Sequence, residues 1–214
     1  MNQHNESIYE RQWLTPNDAN EHLPKLRELA KECRVAIEIG CWKGNTATGT
    51  LMGLIDSSAP GKLFQIIDIN KDYIDGAAIE LNRLEFDRND PRIEFILGSS
   101  LEVEFATADM VFIDSWHTYS QLSQELKRFA PNTRKYICCH DSTTFGFVGE
   151  DGKAPALVDA IEEFLEASNG EWMLEYQTDM NNGLTVLKRV SGGPTGYTFP
   201  ISANVYTSSL FGRT

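Results

Sequence analysis

Five short apolar runs recur along the chain, and this recurrence constrains the fold more than any other feature. The runs are VAIEIG at 35–40, LFQIIDI at 63–69, IEFILG at 93–98, DMVFID at 109–114 and KYICCHD at 135–141. Because they are apolar almost without alternation, they predict strands that are buried on both faces, as in a parallel sheet. Helix-like segments at 70–86 and 118–130 provide the crossover connections that such a sheet requires.

The C-terminal part of the chain predicts a hairpin. EWMLEYQTD and GLTVLKRV flank MNNG at 180–183, and Asn-Gly is typical of tight turns between antiparallel strands. We therefore expect an α/β fold with a doubly wound, mostly parallel sheet and a C-terminal antiparallel hairpin, in one domain spanning 1–214. The last segment, 191–214, shows no helical periodicity and is expected to be an irregular tail.

A helical segment is predicted within the N-terminal residues 1–34. Thr15 can cap a helix, Pro16 suits the first helical position, and Asp18 completes a pattern that resembles a capping box. The sequence thus predicts a helix that begins near Thr15.

Charge and composition limit the classes of partner. The 214 residues carry a formal net charge of −12, and no cluster of lysine and arginine offsets it, so nucleic acid is not expected as a partner. No apolar run is long enough to span a membrane, and the first residues lack a signal-peptide pattern. The four cysteines show no disulfide or zinc spacing. We expect a cytoplasmic protein that acts on a small molecule.

A glycine turn with a carboxylate follows the first predicted strand. Glu38, Gly40 and Gly44 stand where that strand meets a helix, the usual ligand position in open α/β sheets. A dinucleotide-binding loop would have a glycine where Trp42 stands, which disfavours a pyrophosphate. Asp68, at the end of the second predicted strand, can accept hydrogen bonds from ribose hydroxyls, or it can be a solvated strand end. Together these features indicate a nucleoside ligand without a diphosphate, and S-adenosylmethionine (SAM) fits.

A second group of polar residues follows the fourth and fifth predicted strands. Asp114 and His117 come just after the fourth strand, and Asp141 ends the fifth. Neighbouring strands are about 5 Å apart, so the two carboxylates could share one cation. Oxygen ligands favour Mg²⁺ over zinc. Asp114 could instead cap the following helix, and His117 could be a structural histidine.

The motif EIGCWKGNT at 38–46 resembles the first motif of class I SAM-dependent methyltransferases, which have a Rossmann-like fold. The resemblance covers about 35–141. It is strongest to the catechol O-methyltransferase type and to the related small-molecule methyltransferase/cephalosporin-hydroxylase-like group. It implies a set of cofactor-binding residues: Glu38 and Gly44 in the turn, Gly40, Trp42 and Thr46 around the methionine part, Asp68 and Ile69 at the ribose, and Ser100 and Trp116 at the adenine.

The same resemblance assigns roles in catalysis. His117 stands where the catechol enzymes have a lysine base, and Asp114 stands at the position of one of their metal ligands. Ser142 takes the place of the family's asparagine ligand, next to Asp141. We interpret His140 as a packing or supporting residue. The resemblance therefore implies a histidine base beside a metal site formed by Asp114, Asp141 and Ser142.

These features predict a SAM-dependent O-methyltransferase for a small-molecule hydroxyl, with assistance from Mg²⁺. Three alternatives stay open, namely an oxidative enzyme of the cephalosporin-hydroxylase-like kind, a dehydrogenase, and a non-catalytic SAM-binding module. The acceptor could be a sugar, a phenol or a polyketide. Phe145 and Phe147, in a glycine-containing loop after the fifth strand, hint at a ring-bearing substrate.

Overall fold

The computed structural model describes residues 2–200 and 205–206. Within these residues the helices are α1 Gln3–Leu14, α2 Leu23–Ala30, α3 Asn45–Asp56, α4 Lys71–Leu81, α5 Tyr119–Phe129 and α6 Leu157–Ala167. The strands are β1 Val35–Ile39, β2 Leu63–Asp68, β3 Arg92–Leu97, β4 Ala108–Ile113, β5 Thr133–His140, β6 Trp172–Thr178, β7 Leu184–Arg189 and β8 Val205–Tyr206. None of these helices is long and apolar enough to cross a membrane.

The strands of the described residues form one sheet in the order β6-β7-β5-β4-β1-β2-β3-β8. Strands β1 to β5 are parallel to one another. Strand β7 pairs antiparallel with both β5 and β6, which confirms the predicted hairpin. The order β3-β2-β1-β4-β5 is that of a doubly wound sheet. The predicted Rossmann-like fold is confirmed.

The register of the central strands aligns their carboxyl ends. Ile39 pairs with Ile67 of β2 on one side and with Ile113 of β4 on the other. The chain leaves β1 toward β2 and reaches β4 only after β3, so the order reverses between β1 and β4. Ligands of open α/β sheets bind at this switch point. The residues that follow β1, β2, β4 and β5 therefore meet at one edge.

Both faces of the sheet are covered by helices. Val35, Ile37 and Ile39 belong to a buried cluster that includes residues of α5 and α6. Ala36 belongs to the other cluster, which includes residues of α1 to α4. Successive strand residues point to opposite faces, so Glu38 shares the face of Ala36. This placement puts a carboxylate into an apolar layer.

The predicted N-terminal helix boundary is wrong. Thr15 does not begin a helix; it is the C-terminal cap of α1 and has an extended backbone. A residue that precedes a proline is disfavoured in the helical region, so Pro16 accounts for this end. Helix α2 starts only at Leu23, with Pro24 in its first turn. Helix α1 itself was not predicted because its apolar stripe is narrow, with Ile8 and Tyr9 as its buried hydrophobic residues.

The tail departs in part from the irregular segment that was predicted. Residues 191–200 contain no strand or helix, but Val205–Tyr206 forms a short strand antiparallel to β3. The tail is also held at the amino end of the sheet, because the Tyr197 hydroxyl donates to Asp109 at 2.8 Å. The rest of the predicted tail, 201–204 and 207–214, lies outside the described residues.

Candidate active site

The turn after β1 is tight because two of its residues are glycines with left-handed backbone angles. Gly40 has a φ of +78°, and a Cβ there would lie 1.9 Å from the carbonyl oxygen of Asp114. Gly44 has a φ of +81°, and a Cβ there would lie 2.9 Å from Cα of Ala77. A side chain at either position would clash with backbone. The turn therefore packs directly on the end of β4 and on helix α4.

Glu38 ties the end of β1 to the first turn of α3. Its Oε1 accepts a hydrogen bond from the Thr46 hydroxyl at 2.8 Å. The side chain is fully buried, and its Oε2 has no hydrogen-bond partner among the described residues. Burial raises the pKa of Glu38 well above its ordinary value. Glu38 and Thr46 thus support the turn from behind.

Asp68 lies on the other side of the turn, at the end of β2. Its Oδ2 accepts a hydrogen bond from the backbone N–H of Cys41 at 2.9 Å, and its Oδ1 accepts one from Asn70 at 2.7 Å. The Cys41 thiol also donates to Oδ2 at 3.5 Å, whereas Oδ1 keeps capacity for a further donor. The next residue, Ile69, is 78% exposed. An oriented acid and an apolar surface therefore stand side by side.

Ser100 belongs to a buried hydrogen-bond network. Its hydroxyl donates to Glu125 at 2.6 Å and accepts from Gln121 at 3.2 Å. Ser115 donates to the second oxygen of Glu125 at 2.7 Å. Burial raises the pKa of Glu125. Sequence reasoning missed Glu125, although its spacing from Leu122 places it on the buried face of α5.

Asp114, His117 and Asp141 form a charged cluster, as the sequence predicted they could. His117 Nε2 lies 3.1 Å from Asp114 Oδ1 and 2.8 Å from Asp141 Oδ2. Its Nδ1 lies 3.0 Å from Glu150 Oε2, and its ring stacks on Phe145 at 4.9 Å. The long loop after β5 therefore contributes two contacts that hold the imidazole.

The pKa values of this cluster reflect its mixed charges. Burial disfavours the imidazolium form of His117, but hydrogen bonds and charges of Asp114 and Asp141 outweigh it and raise its pKa to about 10. Burial also disfavours the charged form of Asp114, yet the charge of His140 and the hydrogen bond from His117 lower its pKa. The site is stabilised by opposite charges that face one another.

His140 also reaches the cluster, which the sequence did not predict. Its Nδ1 lies 3.1 Å from Asp114 Oδ1 and 3.6 Å from Asp141 Oδ1. Burial lowers its pKa, but the charge of Asp114 and its hydrogen bond outweigh burial and raise it to about 9. His22 packs edge-on against it at 5.2 Å. His140 is thus part of the site and not a remote packing residue.

Asp141 has the features of a cation ligand. Its backbone has a φ of +57°, which is uncommon for a residue other than glycine. Its side chain is buried, and Oδ1 has no hydrogen-bond partner within the described chain. Asp114, His140 and Asp141 offer ligand atoms that all lie within 4.8 Å of one another. A buried oxygen without a donor, beside a second carboxylate and an imidazole, fits a divalent cation.

Ser142 stands apart from this group. The residue is buried, and its hydroxyl accepts a hydrogen bond from the Thr185 hydroxyl of β7 at 2.9 Å. Unlike Asp141, it does not line the cleft at this edge. The structure therefore places His140, and not Ser142, with the two carboxylates.

One cleft of about 540 Å³ joins the two halves of the site. Among the predicted site residues, the following line it: Gly40, Trp42, Asp68, Ile69, Ser100, Asp114, Trp116, His117 and Asp141. Glu38, Gly44, Thr46 and Ser142 do not. Trp42 and Trp116 are 51% and 59% exposed, respectively. The cleft therefore combines exposed ring surfaces with an acid on one side and a charged cluster on the other.

Solved structures match this chain over most of its length. TomG, an O-methyltransferase from Streptomyces achromogenes solved with SAM, is 18% identical with a TM-score of 0.63, and the match covers 89% of this chain and 91% of TomG. The chain has the class I SAM-dependent methyltransferase fold. An O-methyltransferase from Bacillus cereus solved with SAH is 17% identical with a TM-score of 0.58, covering 88% and 91% of the two chains.

A third example extends this likeness to a fungal protein. PaMTH1, a methyltransferase from Podospora anserina solved with SAH, is 14% identical with a TM-score of 0.58 and covers 89% of each chain. At such identities the likeness is one of fold. No family model matches the chain, and no curated protein matches it.

Proposed function

We propose that this protein is a SAM-dependent O-methyltransferase that acts on a small-molecule hydroxyl with the help of a divalent cation. The observation that carries the proposal is the single cleft that joins Asp68 and the Gly40 turn to the Asp114–His117–Asp141 cluster. Methyl transfer to oxygen needs both halves, because the methyl donor and the ionising hydroxyl must meet in line.

The cofactor half of the cleft fits SAM. Asp68 keeps lone pairs for ribose hydroxyls, and the exposed side chains of Ile69 and Trp116 offer apolar surfaces for an adenine ring. The Gly40 turn lets a ligand approach the backbone closely. Bound there, SAM supplies an electrophilic methyl group. The likeness of fold to SAM-bound TomG supports this assignment.

The acceptor half fits a divalent cation. Asp114, His140 and Asp141 would hold it, and the unpartnered Oδ1 of Asp141 would gain a partner. The cation, for which the sequence predicts Mg²⁺, would favour ionisation of a bound hydroxyl.

His117 is the base in this proposal. Its Nδ1 is held by Glu150 and its ring by Phe145, so its Nε2 is directed toward the two aspartates. As the acceptor oxygen gains the methyl group, its proton passes to Nε2 of His117. The imidazole must be neutral for this task, and a cation on Asp114 and Asp141 offsets the charges that raise its pKa.

An oxidative enzyme is the second candidate. The observation that favours it is the imidazole of His140 beside two carboxylates, since redox-active iron takes histidine and carboxylate ligands. The product distinguishes the two candidates, because methylation adds a methyl group to the acceptor whereas hydroxylation adds an oxygen atom. We further propose a cytoplasmic enzyme whose partner is its small-molecule acceptor.

The test combines binding and turnover. Calorimetry should detect binding of SAM and of its demethylated product SAH, but not of NAD. Isotope-labelled SAM should then transfer its methyl group to a member of a panel of phenols, sugars and polyketide alcohols. His117→Ala should lower kcat by about 10²- to 10⁴-fold with nearly unchanged SAM affinity.

His4→Ala is the matched histidine control. His4 contacts the backbone of Arg83 and does not line the cleft, so its loss should leave kcat unchanged. Binding of NAD without SAM or SAH would contradict the cofactor assignment. An alanine variant of His117 that turns over normally would leave the protein without its proposed base.

A further inference from the structure

The orientation of His140 fixes which of its nitrogens carries a proton. Nε2 lies 3.2 Å from the carbonyl oxygen of Asp18 and 3.2 Å from that of Asn181. A carbonyl oxygen only accepts hydrogen bonds, so Nε2 must be the donor and carry the proton. In the neutral imidazole the lone pair then resides on Nδ1.

The Nδ1 lone pair faces two carboxylate oxygens. Asp114 Oδ1 is 3.1 Å away and Asp141 Oδ1 is 3.6 Å away. Three acceptors directed at one another repel unless a positive charge lies among them. Asp141 Oδ1 is buried without a hydrogen-bond donor in the described chain, so it is available to a cation at this point.

We propose that His140 Nδ1 is a metal ligand together with Asp114 and Asp141, and that it makes the site select a later first-row transition metal ion such as Zn²⁺ over Mg²⁺. This inference rests on the cation assistance proposed above. Mg²⁺ prefers ligand sets of oxygen alone. An imidazole ligand instead suits iron, nickel, copper and zinc.

The surroundings of His140 support a ligand role. A metal-bound histidine usually donates its other N–H to a carbonyl or carboxylate, which fixes the ring. Here two carbonyl groups, from Asp18 and Asn181, take this part. Ser142, the residue that follows Asp141, instead bonds to Thr185 of β7.

The direct test is pulsed EPR of Mn²⁺ bound to the full chain, with histidine labelled by ¹⁵N. The expected result is a spectrum with a coordinated histidine nitrogen. In competition titrations against this Mn²⁺ probe, Zn²⁺ should bind about tenfold or more tightly than Mg²⁺. His140→Asp should abolish the nitrogen coupling and reduce the ratio of affinities for the transition metal ion and Mg²⁺.

His117→Ala is the matched control, because His117 also contacts both aspartates. It should keep the nitrogen coupling. Mn²⁺ binding without nitrogen coupling, or coupling that is lost in His117→Ala and kept in His140→Asp, would overturn this inference while leaving cation assistance intact. A failure to bind any divalent cation would remove both. Even if a variant misfolds, a spectrum of the unmutated protein without histidine coupling overturns the inference, and labelling the imidazole at Nδ1 alone distinguishes His140 from His117, which faces the aspartates with Nε2.

Discussion

Two aspartates at the opposite ends of β4 have contrasting environments. Asp109, near its amino end, is 1% exposed. It accepts hydrogen bonds from the backbone N–H groups of Arg34 and Val35 and from the hydroxyl of Tyr197, and it pairs with the Arg134 side chain. All of these partners are fixed donors. The hydrogen-bonding capacity of the Asp109 carboxylate is therefore taken up by the protein itself.

Asp114, just past the carboxyl end, meets different partners. Its close neighbours are the imidazoles of His117 and His140, which can lose their protons, and a second carboxylate, Asp141, follows β5. One oxygen of Asp141 has no donor in the described chain. Fixed donors make a carboxylate structural, whereas exchangeable partners leave it available to a cation. The comparison thus separates an aspartate held by fixed donors from an aspartate with exchangeable partners, at the two ends of one strand.

Asp109→Asn should give the largest loss of stability. The substitution removes the charge that pairs with Arg134 and puts an amide NH2 donor where an oxygen accepted hydrogen bonds. The free energy of unfolding should therefore fall by about 3–5 kcal/mol. Denaturant unfolding measures it. Asp114→Asn is the matched variant and should change stability much less while weakening cation binding. Equal losses of stability in Asp109→Asn and Asp114→Asn would contradict the proposed difference between the two ends of β4.

Asp68→Ala should have an intermediate effect, on ligand binding. Removal of the ribose acceptor should weaken SAM by roughly 1–3 kcal/mol, measured by calorimetry. Asp68→Asn keeps the size of the side chain and guards against a folding defect at the Cys41 and Asn70 contacts. The exposed Asp72 on α4 serves as the control position. Unchanged SAM affinity in both Asp68 variants would make Asp68 structural, like Asp109.

Glu38→Gln should have the smallest effect, and its size depends on pH. Burial raises the pKa of Glu38 in the folded protein above 4.5. The unmutated protein is therefore more stable below about pH 4.5, where Glu38 is protonated in both the folded and the unfolded state, than at neutral pH. It loses stability as pH rises from about 4.5 toward the folded-state pKa. Glutamine stays neutral and can still accept from Thr46, so the variant should gain about 1 kcal/mol near neutral pH.

Thermal unfolding across pH checks this expectation. The gain from Glu38→Gln should shrink as pH falls toward 4.5. Thr50→Val, which alters a buried polar group of helix α3 that does not titrate, should give a shift in stability that does not depend on pH. A Glu38→Gln difference that is constant with pH would mean that Glu38 is ionised in the fold, as a carboxylate with sufficient donors would be.

The sequence predicted the sheet well because each central strand is buried on both faces. The run at 35–40 became β1, Val35–Ile39, and the run at 93–98 became β3, Arg92–Leu97. Asp68, Asp114 and Asp141 were found for the same reason, since polar residues at the carboxyl ends of such strands converge. The pattern of apolar residues thus predicted both the strands of the sheet and the edge at which their carboxyl ends meet.

The sequence did not give the contacts that depend on distant segments. His140 lies within a strand-like run, and only the fold shows that its nitrogen reaches Asp114. Glu125 is buried because Ser100 and Ser115, from other segments, donate to it. The role of Thr15 as the C-terminal cap of α1, and not as the start of a helix, follows from Pro16, which disfavours a helical backbone at Thr15. Pairings of this kind cannot be derived from periodicity.

The two carbonyl groups that orient His140 have a consequence for how the protein is made. Asp18 is 122 positions before His140, and Asn181 is 41 positions after it. A ribosome must therefore release the chain as far as the turn after β6 before the imidazole has both of its supports. A chain that ended between residues 142 and 180 would contain every proposed metal ligand and still lack the complete site.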